Sequence, residues 1–319
     1  MGLRSPRLLA LLLVLFRGPT LFCGLGSLAY GQASPPLELI VLGSGGPGAT
    51  GRASSSYLIL VDGVARILVD AGSGAFARLG ESGIALTHTD IVLLTHLHID
   101  HAGELPGMFK ARAVSTSGPI VFNVWGPDGA GRQAQGAYFP STRRFIELLF
   151  GEQGAFAYLK DFSAPITIHA HDIAARVMAK PVPQVIDRES AFTIAAIAGH
   201  HGDAPALIYR VDHAGKSITF SGDIDAKGLA GLRVIAKGTD LLVANCVVLD
   251  PPDSAPILYT LHTPPRAMGE VAKEAAVHRL LLSHLSPATI EMHAAVLESV
   301  HRNYQGPVTA AEDGMRIQP

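Results

Sequence analysis

The stretch LLTHLHIDHAGELPG, residues 93–107, narrows the possible folds more than any other. An aliphatic run stops at Thr95, and His96, His98, Asp100 and His101 follow directly. Residues two apart in extended chain project to the same side, so His96 and His98 can face one cation. Asp100 and His101 sit where the chain turns toward a helix expected to open near Ala102 or Gly103, and they can face a second. Imidazole and carboxylate together suit zinc and similar divalent ions. A set of merely polar loop residues is the bland alternative. With 14 histidines in 319 residues, chance seldom produces this spacing. Four donors are too few for two cations, so the fold must bring others to the same place.

From residue 36 onward, short apolar runs alternate with turns. Strands are expected over 38–43, 57–62, 65–70, 91–95, 120–126, 166–170, 192–198, 206–211, 217–222, 241–246 and 279–284. Several are runs of Val, Ile, Leu and Tyr bounded by Gly, Asp or Pro. VDG and DHAG read as hairpin turns. Residues 264–278 and 288–304 read as helices, the second placing Ile290, Ala294, Leu297 and His301 on one face. This mixture implies an α/β fold with sheets covered by helices. There is a faint internal repeat: the segments ending at Asp70 and at Asp223 both run strand, turn, strand, then Asp beside small residues. Two similar halves would produce it, and so would two ordinary hairpins. Residues 127–164 are Gly-rich, then aromatic, with Arg143 and Arg144. They read as an insertion or lid in a domain spanning 36–319, and Tyr138, Phe139, Arg143, Arg144 and Phe145 within it are candidates for touching substrate through stacking and anion pairing, with exposed lid residues of no catalytic role as the alternative.

Residues 1–33 differ in kind. Arg4 and Arg7 precede an apolar run from Leu8 to Phe16, and small residues follow. That is the pattern of a secretory signal, with cleavage after Ala29 or Ala33 and a periplasmic or secreted product. An uncleaved anchor is the alternative, and Arg17, Gly18 and Pro19 interrupt it. Cleavage would leave 22 basic against 27 acidic side chains, a net charge of −5. No window after residue 35 is long and apolar enough to span a bilayer. A mildly acidic body shows no electrostatic footprint for nucleic acid, so a small-molecule or ester substrate is expected instead. Oligomeric state has no visible signature. Cys246 alone would remain, which excludes an internal disulfide and reads as a buried small hydrophobe.

The further donors stand where apolar runs give way to loops. GHHGD offers His200 and His201, SGDID offers Asp223, and LLSHLSP offers His284. Ends of neighbouring strands can converge on one sheet edge, where sites in α/β folds form. His169 and His171 in TIHAHD are also two apart, but no acidic partner with suitable spacing follows, and a solvated strand explains them. LGSGGPG lacks the ending of a phosphate loop and reads as a tight turn.

Taken in order, LGSGGPG, LVDAGSG, THLHIDHAGELPG, GPDG, HGDAPALIYR, SGD, LHTPPRAMGEVAKEA and LLSHLSP resemble the metallo-β-lactamase-fold hydrolases, most of all the ribonuclease Z and arylsulfatase-like branch. The resemblance spans about residues 39–318. It implies a four-layer αββα sandwich. It implies one metal held by His96, His98 and His201 and another held by Asp100, His101 and His284, with Asp223 bridging. His201 is preferred to His200 on the spacing from HGD to the following Pro and Tyr. The ions would be two divalent cations, zinc first, with manganese or iron as alternatives. A metal-bridging hydroxide would attack an ester-like bond. Asp100 would ligate and orient or deprotonate the water, and His262 would donate a proton to the leaving group. A helix-cap histidine ahead of Pro264 is the alternative for His262. Asp70 would orient a ligand histidine from behind.

The leading expectation is an exported binuclear hydrolase of a phosphodiester, sulfate or carboxylic ester. Alternatives are a ribonuclease Z-type endoribonuclease, a lactonase or β-lactamase, and a non-catalytic metal-binding member of the fold. The absence of an added flavin domain argues against oxygen reduction.

Overall fold

Both faces of the central strands are apolar, and the architecture follows from burying both. The computed structural model describes residues 35–48, 50–132, 138–189 and 191–319. The expected signal, residues 1–33, lies outside the described residues. The first half of the chain runs β1 (Leu37–Gly43), β2 (Ser56–Val61), β3 (Val64–Val69), α1 (Ala75–Ser82), β4 (Ile91–Leu93), α2 (Ile99–Ala102), α3 (Leu105–Val114), β5 (Ile120–Pro127), β6 (Gly131–Arg132), β7 (Tyr138–Phe139), α4 (Thr142–Phe150) and β8 (Ile166–Ile173). The second runs β9 (Gln184–Arg188), β10 (Thr193–Ala198), β11 (Leu207–His213), β12 (Lys216–Phe220), α5 (Leu229–Ile235), β13 (Leu241–Asn245), α6 (Pro265–Glu274), β14 (Arg279–Ser283), α7 (Pro287–Glu291), α8 (His293–His301), β15 (Val308–Ala310) and β16 (Arg316–Ile317).

Two seven-stranded sheets result, ordered β16-β1-β2-β3-β4-β5-β8 and β15-β14-β13-β12-β11-β10-β9. They share one plan. β1, β2 and β3 pair antiparallel, and β3, β4, β5 and β8 then run parallel. β10, β11 and β12 pair antiparallel, and β12, β13, β14 and β15 then run parallel. The faint sequence repeat is therefore a repeat of topology. The β2–β3 and β11–β12 turns are tight, with Asp62, Gly63, Ala214 and Gly215 all at positive φ.

Alternation along each strand builds three apolar layers. Leu39, Val41, Ile59, Ile67 and Leu93 meet Leu207, Tyr209, Ile218, Val243 and Leu281 between the sheets. Ile40, Leu58, Leu68 and Val92 face outward onto Leu79 of α1 and Met108 and Phe109 of α3. Ile208, Leu242 and Leu280 face outward onto Leu232 of α5, Val271 of α6 and Val300 of α8. Helix, sheet, sheet, helix is the αββα sandwich that the family resemblance implies. No helix among the described residues is long and apolar enough to cross a membrane.

Two expectations are corrected. Residues 127–164 are not wholly outside the sheets. α4 is the crossover joining parallel β5 and β8, and its Ile146 and Phe150 are buried in the outer core. The short β6–β7 pair is the portion that stands apart. The helix expected over 288–304 breaks at Met292 into α7 and α8. Ser286 caps α7 through a reciprocal box with Thr289, which sets its direction. The buried face of α8 then carries Val296, Ser299 and Val300, while Ile290 is exposed.

Candidate metal centre

Directions decide where the ligands meet. β3, β4, β12 and β14 end at one edge of the sandwich, and β10, two antiparallel steps from β12, ends there too. Three hydrogen bonds tie the sheets together just beneath that edge. Leu207 N–H donates to Thr95 O (2.8 Å), Tyr209 Oη to Leu94 O (3.1 Å) and Tyr57 Oη to Ser283 Oγ (2.8 Å). Each involves a residue adjacent or nearly adjacent to a predicted ligand, His96 or His284.

Above these ties, His96, His98 and His201 form one group and Asp100, His101 and His284 another, each with donor atoms within 4.8 Å of one another. His96 Nε2 lies 3.1 Å from His98 Nδ1, which lies 3.3 Å from His201 Nε2. In the second group His284 Nε2 lies 3.1 Å and His101 Nε2 3.7 Å from Asp100 Oδ2. α2 starts at Ile99, earlier than the sequence suggested, so Asp100 and His101 project from a helical turn. Asp223 stands between the groups. Its Oδ2 is 3.7 Å from His201 Nε2 and 3.6 Å from His284 Nε2, and its Oδ1 is 3.8 Å from His101 Nε2.

The donors fit divalent cations. His101 Nε2 is buried and has no hydrogen-bond partner among the described residues. Both carboxylates near it stand too far for a hydrogen bond and at a separation a cation can fill. His101 is oriented from behind: its Nδ1 meets Asp70 Oδ2 at 2.8 Å, and Asp70 also accepts from Thr95 N (2.7 Å) and Thr95 Oγ1 (2.8 Å). His201 Nδ1 meets Leu261 O at 2.7 Å, which aims its Nε2 inward.

Electrostatics agree with a cation site. Burial alone would raise the Asp223 carboxyl, but His284, His101, His201 and His262 outweigh it and hold it well below the usual range. Burial, with the neighbouring imidazoles, pushes His96 well down. His98 is lowered by burial too. Both stay neutral, the form that ligates.

The remaining sequence candidates fall as follows. His262 is buried, with Nδ1 3.7 Å from Asp223 Oδ2 and without a hydrogen-bond partner among the described residues. His200 turns away and pairs through Nδ1 with Asp225 Oδ2 at 2.8 Å. His201→Ala is therefore expected to remove one equivalent of bound metal, and His200→Ala none; metal analysis after dialysis checks both. Phe139 on β7 reaches the rim, its ring centroid 5.9 Å from that of His98. Arg143 and Arg144 pair with Asp172 and Glu147, and Phe145 packs on the outer core. His169 and His171 sit on edge strand β8, His171 stacked on Trp125 at 3.9 Å. Cys246 is free and buried. Sequence reasoning missed Asn245, at the end of β13, whose Nδ2 donates to Asp223 Oδ1. The strand-end rule that found Asp223 would have found it.

Comparison with known proteins places this geometry. The family described as a beta-lactamase superfamily domain matches residues 65–285. A ribonuclease Z from Mycobacterium sp. (strain KMS) is 27% identical over 259 residues, 79% of this chain and 85% of that protein. The human short-form tRNase Z superposes with a TM-score of 0.65 at 21% identity, covering 88% of this chain and 99% of that one. A Zn(2+)-bound PqqB from Methylobacterium extorquens superposes with a TM-score of 0.60 at 14% identity, covering 88% of this chain and 100% of the other. With the matched family spanning most of the sandwich and the ligand clusters at its edge, the chain belongs to the beta-lactamase superfamily and is a metal-dependent hydrolase of that fold.

Proposed function

We propose that this chain is an exported phosphodiester hydrolase working with two divalent ions, zinc first. The observation that carries the reading is Asp223, whose oxygens lie between the two ligand groups at 3.6–3.8 Å from His284, His201 and His101. His96, His98 and His201 would hold one ion, Asp100, His101 and His284 the other, and Asp223 both. Bound there, the ions would supply Lewis acidity toward an ester oxygen and lower the pKa of a water. The phosphodiester, among the ester classes, is favoured by the curated relatives, which carry the name ribonuclease Z.

The chain's own groups supply the proton handling. Burial would raise Asp100, but its hydrogen bond with His284 and the nearby His101 outweigh that and keep it ionised, able to accept a proton from water. Burial pushes His262 down to about 4, so at neutral pH it is an uncharged imidazole with one N–H. In that form it serves as a hydrogen-bond donor to a leaving oxygen. His262→Ala is expected to lower kcat by roughly 10²–10⁴-fold while both metals stay bound. Steady-state kinetics with metal analysis checks this, and undiminished turnover would remove His262 from the reaction.

An endoribonuclease is the second reading, favoured by the same relatives. It runs against the expectation from net charge that nucleic acid is not a partner. The mature protein, loaded with zinc, manganese or iron, would be assayed on bis-p-nitrophenyl phosphate, p-nitrophenyl sulfate, nitrocefin, a homoserine lactone and a transfer RNA precursor. Turnover of the phosphodiester supports the first reading, and discrete cleavage of the RNA moves the assignment to the second. Turnover of none at full metal occupancy leaves the non-catalytic binding role. Export is tested separately by N-terminal sequencing of the product, expected to begin at Tyr30 or Ser34.

A further inference from the structure

Asp313 lies near the end of the chain, outside every motif that points to the metals. Its carboxylate nevertheless gathers four donors from distant segments. Oδ1 accepts from Ser44 N (3.0 Å) and Ser44 Oγ (2.7 Å). Oδ2 accepts from Ala53 N (2.8 Å) and Arg78 Nε (3.1 Å). Ser44 and Ala53 open and close the glycine-rich loop after β1, so one side chain staples both ends of that loop. Arg52 adds to the staple through Ser44 Oγ (2.7 Å) and Ala311 O (2.9 Å).

Each end of the loop leads to the same ligand group. On one side, Leu285 N–H donates to Ser44 O (2.9 Å) and Gly46 N–H donates to Leu285 O (3.1 Å). The residue after His284 is thus paired on both its backbone groups, while His284 itself is held at φ 53, where a side chain rarely sits. A Cβ on Gly46 would stand only 3.2 Å from His284 Nδ1, so the loop lies against the ring. On the other side, Ser54 N–H donates to Ser73 O (2.8 Å) and Gly72 N–H to Ser55 O (3.0 Å). That turn carries Ala71 N–H onto His101 O (2.6 Å), and Gly72 packs so closely that any Cβ there would collide with Asp100 O. His201, of the other group, is held instead through Leu261 O.

We infer that Asp313 is the positioning residue for the Asp100–His101–His284 metal group, acting through the glycine-rich loop and leaving the His96–His98–His201 group largely alone. The inference rests on the two-ion reading above and makes the two sites separable by a residue that touches neither.

The test is stepwise zinc binding by the full mature chain in chelator-buffered zinc, with bound metal counted at each step. Wild type is expected to take up two equivalents. Asp313→Ala is expected to weaken one step by roughly 10–100-fold and leave the other in place. Ser44→Ala, which removes the hydroxyl's bonds to Asp313 and Arg52 but keeps the Ser44 N–H bond to Asp313, guards against an unfolded Asp313→Ala and is expected to weaken the same step less. Asp313→Glu is expected to recover part of the loss. Two steps unchanged in both variants, or both steps weakened together, would overturn the inference. Fewer than two equivalents in wild type would overturn the two-ion reading, and this inference with it.

Discussion

Asp223→Asn is expected to lower turnover by about 10³-fold or more and to cost one equivalent of bound metal. The carboxylate stands close to residues of both clusters. Replacing it with an amide of nearly the same shape keeps the packing but removes a negative charge from a buried site proposed to hold two dications. A contribution of several kcal/mol from paired cations is lost when they are no longer held together, and about 1.4 kcal/mol corresponds to tenfold in rate. The amide oxygen can keep accepting from Asn245 Nδ2, which now donates to Asp223 Oδ1, and the amide nitrogen then stands where Oδ2 lay, toward His201 and His284. Metal-free Asp223→Asn is expected to fold, because the apolar layers do not involve this residue. What it should lose is the rise in Tm that zinc gives the wild type, since a ligand stabilises only in proportion to its occupancy. Differential scanning with and without zinc, beside metal counting, reads both effects. A variant that holds two metals and keeps the zinc-induced rise would contradict the bridging role.

The central motif was legible because its four donors are local: residues 96–101 carry their own geometry, an extended pair followed by a helical turn. Sheets covered by helices were legible because strands buried on both faces leave continuous apolar runs, whereas the four-layer order came only with the family resemblance. Choosing between His200 and His201 was not decidable from alternation. β10 ends at Ala198, and Gly202 at φ 59 closes the turn in which His201 bridges Ala204, so strand parity is already lost. The interruption at Met292 carries no Gly or Pro, and only the Ser286–Thr289 box explains the change of direction. α4 did carry a signal, a Ser141 cap with Ile146 and Phe150 four apart, which the glycines before it masked. Asp313 gave none that alternation could read: its partners lie 235–269 residues away, and DG alone says only that the chain turns.

Asp70→Asn and Asp70→Ala are expected to separate two roles of one buried carboxylate. Asp70 is 1% exposed, sits at φ 57 after β3, and accepts from Thr95 N, Thr95 Oγ1 and His101 Nδ1. Removing it in Asp70→Ala leaves buried donors without their partner, a loss of about 3–5 kcal/mol by analogy with broken buried pairs. Asp70→Asn can still accept from Thr95 through its oxygen. Its amide nitrogen, however, presents hydrogens toward His101 Nδ1, which favours the tautomer protonated at Nε2, the atom that must ligate. Asp70→Asn is therefore expected to fold close to wild type yet bind the second metal roughly 10–100-fold more weakly. The metal-free wild type adds a check through pH. Burial would push His101 down, but Asp70 outweighs it, with Asp223 and Asp100 adding to the effect, and lifts the imidazole to about 9. A folded pKa above the unfolded value stabilises fully below about 6.5 and loses that contribution as pH rises through about 9. The stability gap between metal-free wild type and Asp70→Ala should accordingly narrow from pH 6.5 to 9.5. In the zinc-loaded protein, where His101 gives up that proton to ligate, the gap should hold across the same range. Urea melts at both ends of the range decide it, and a gap that is flat without metal would mean that the Asp70 contacts to Thr95, rather than to His101, carry the stability.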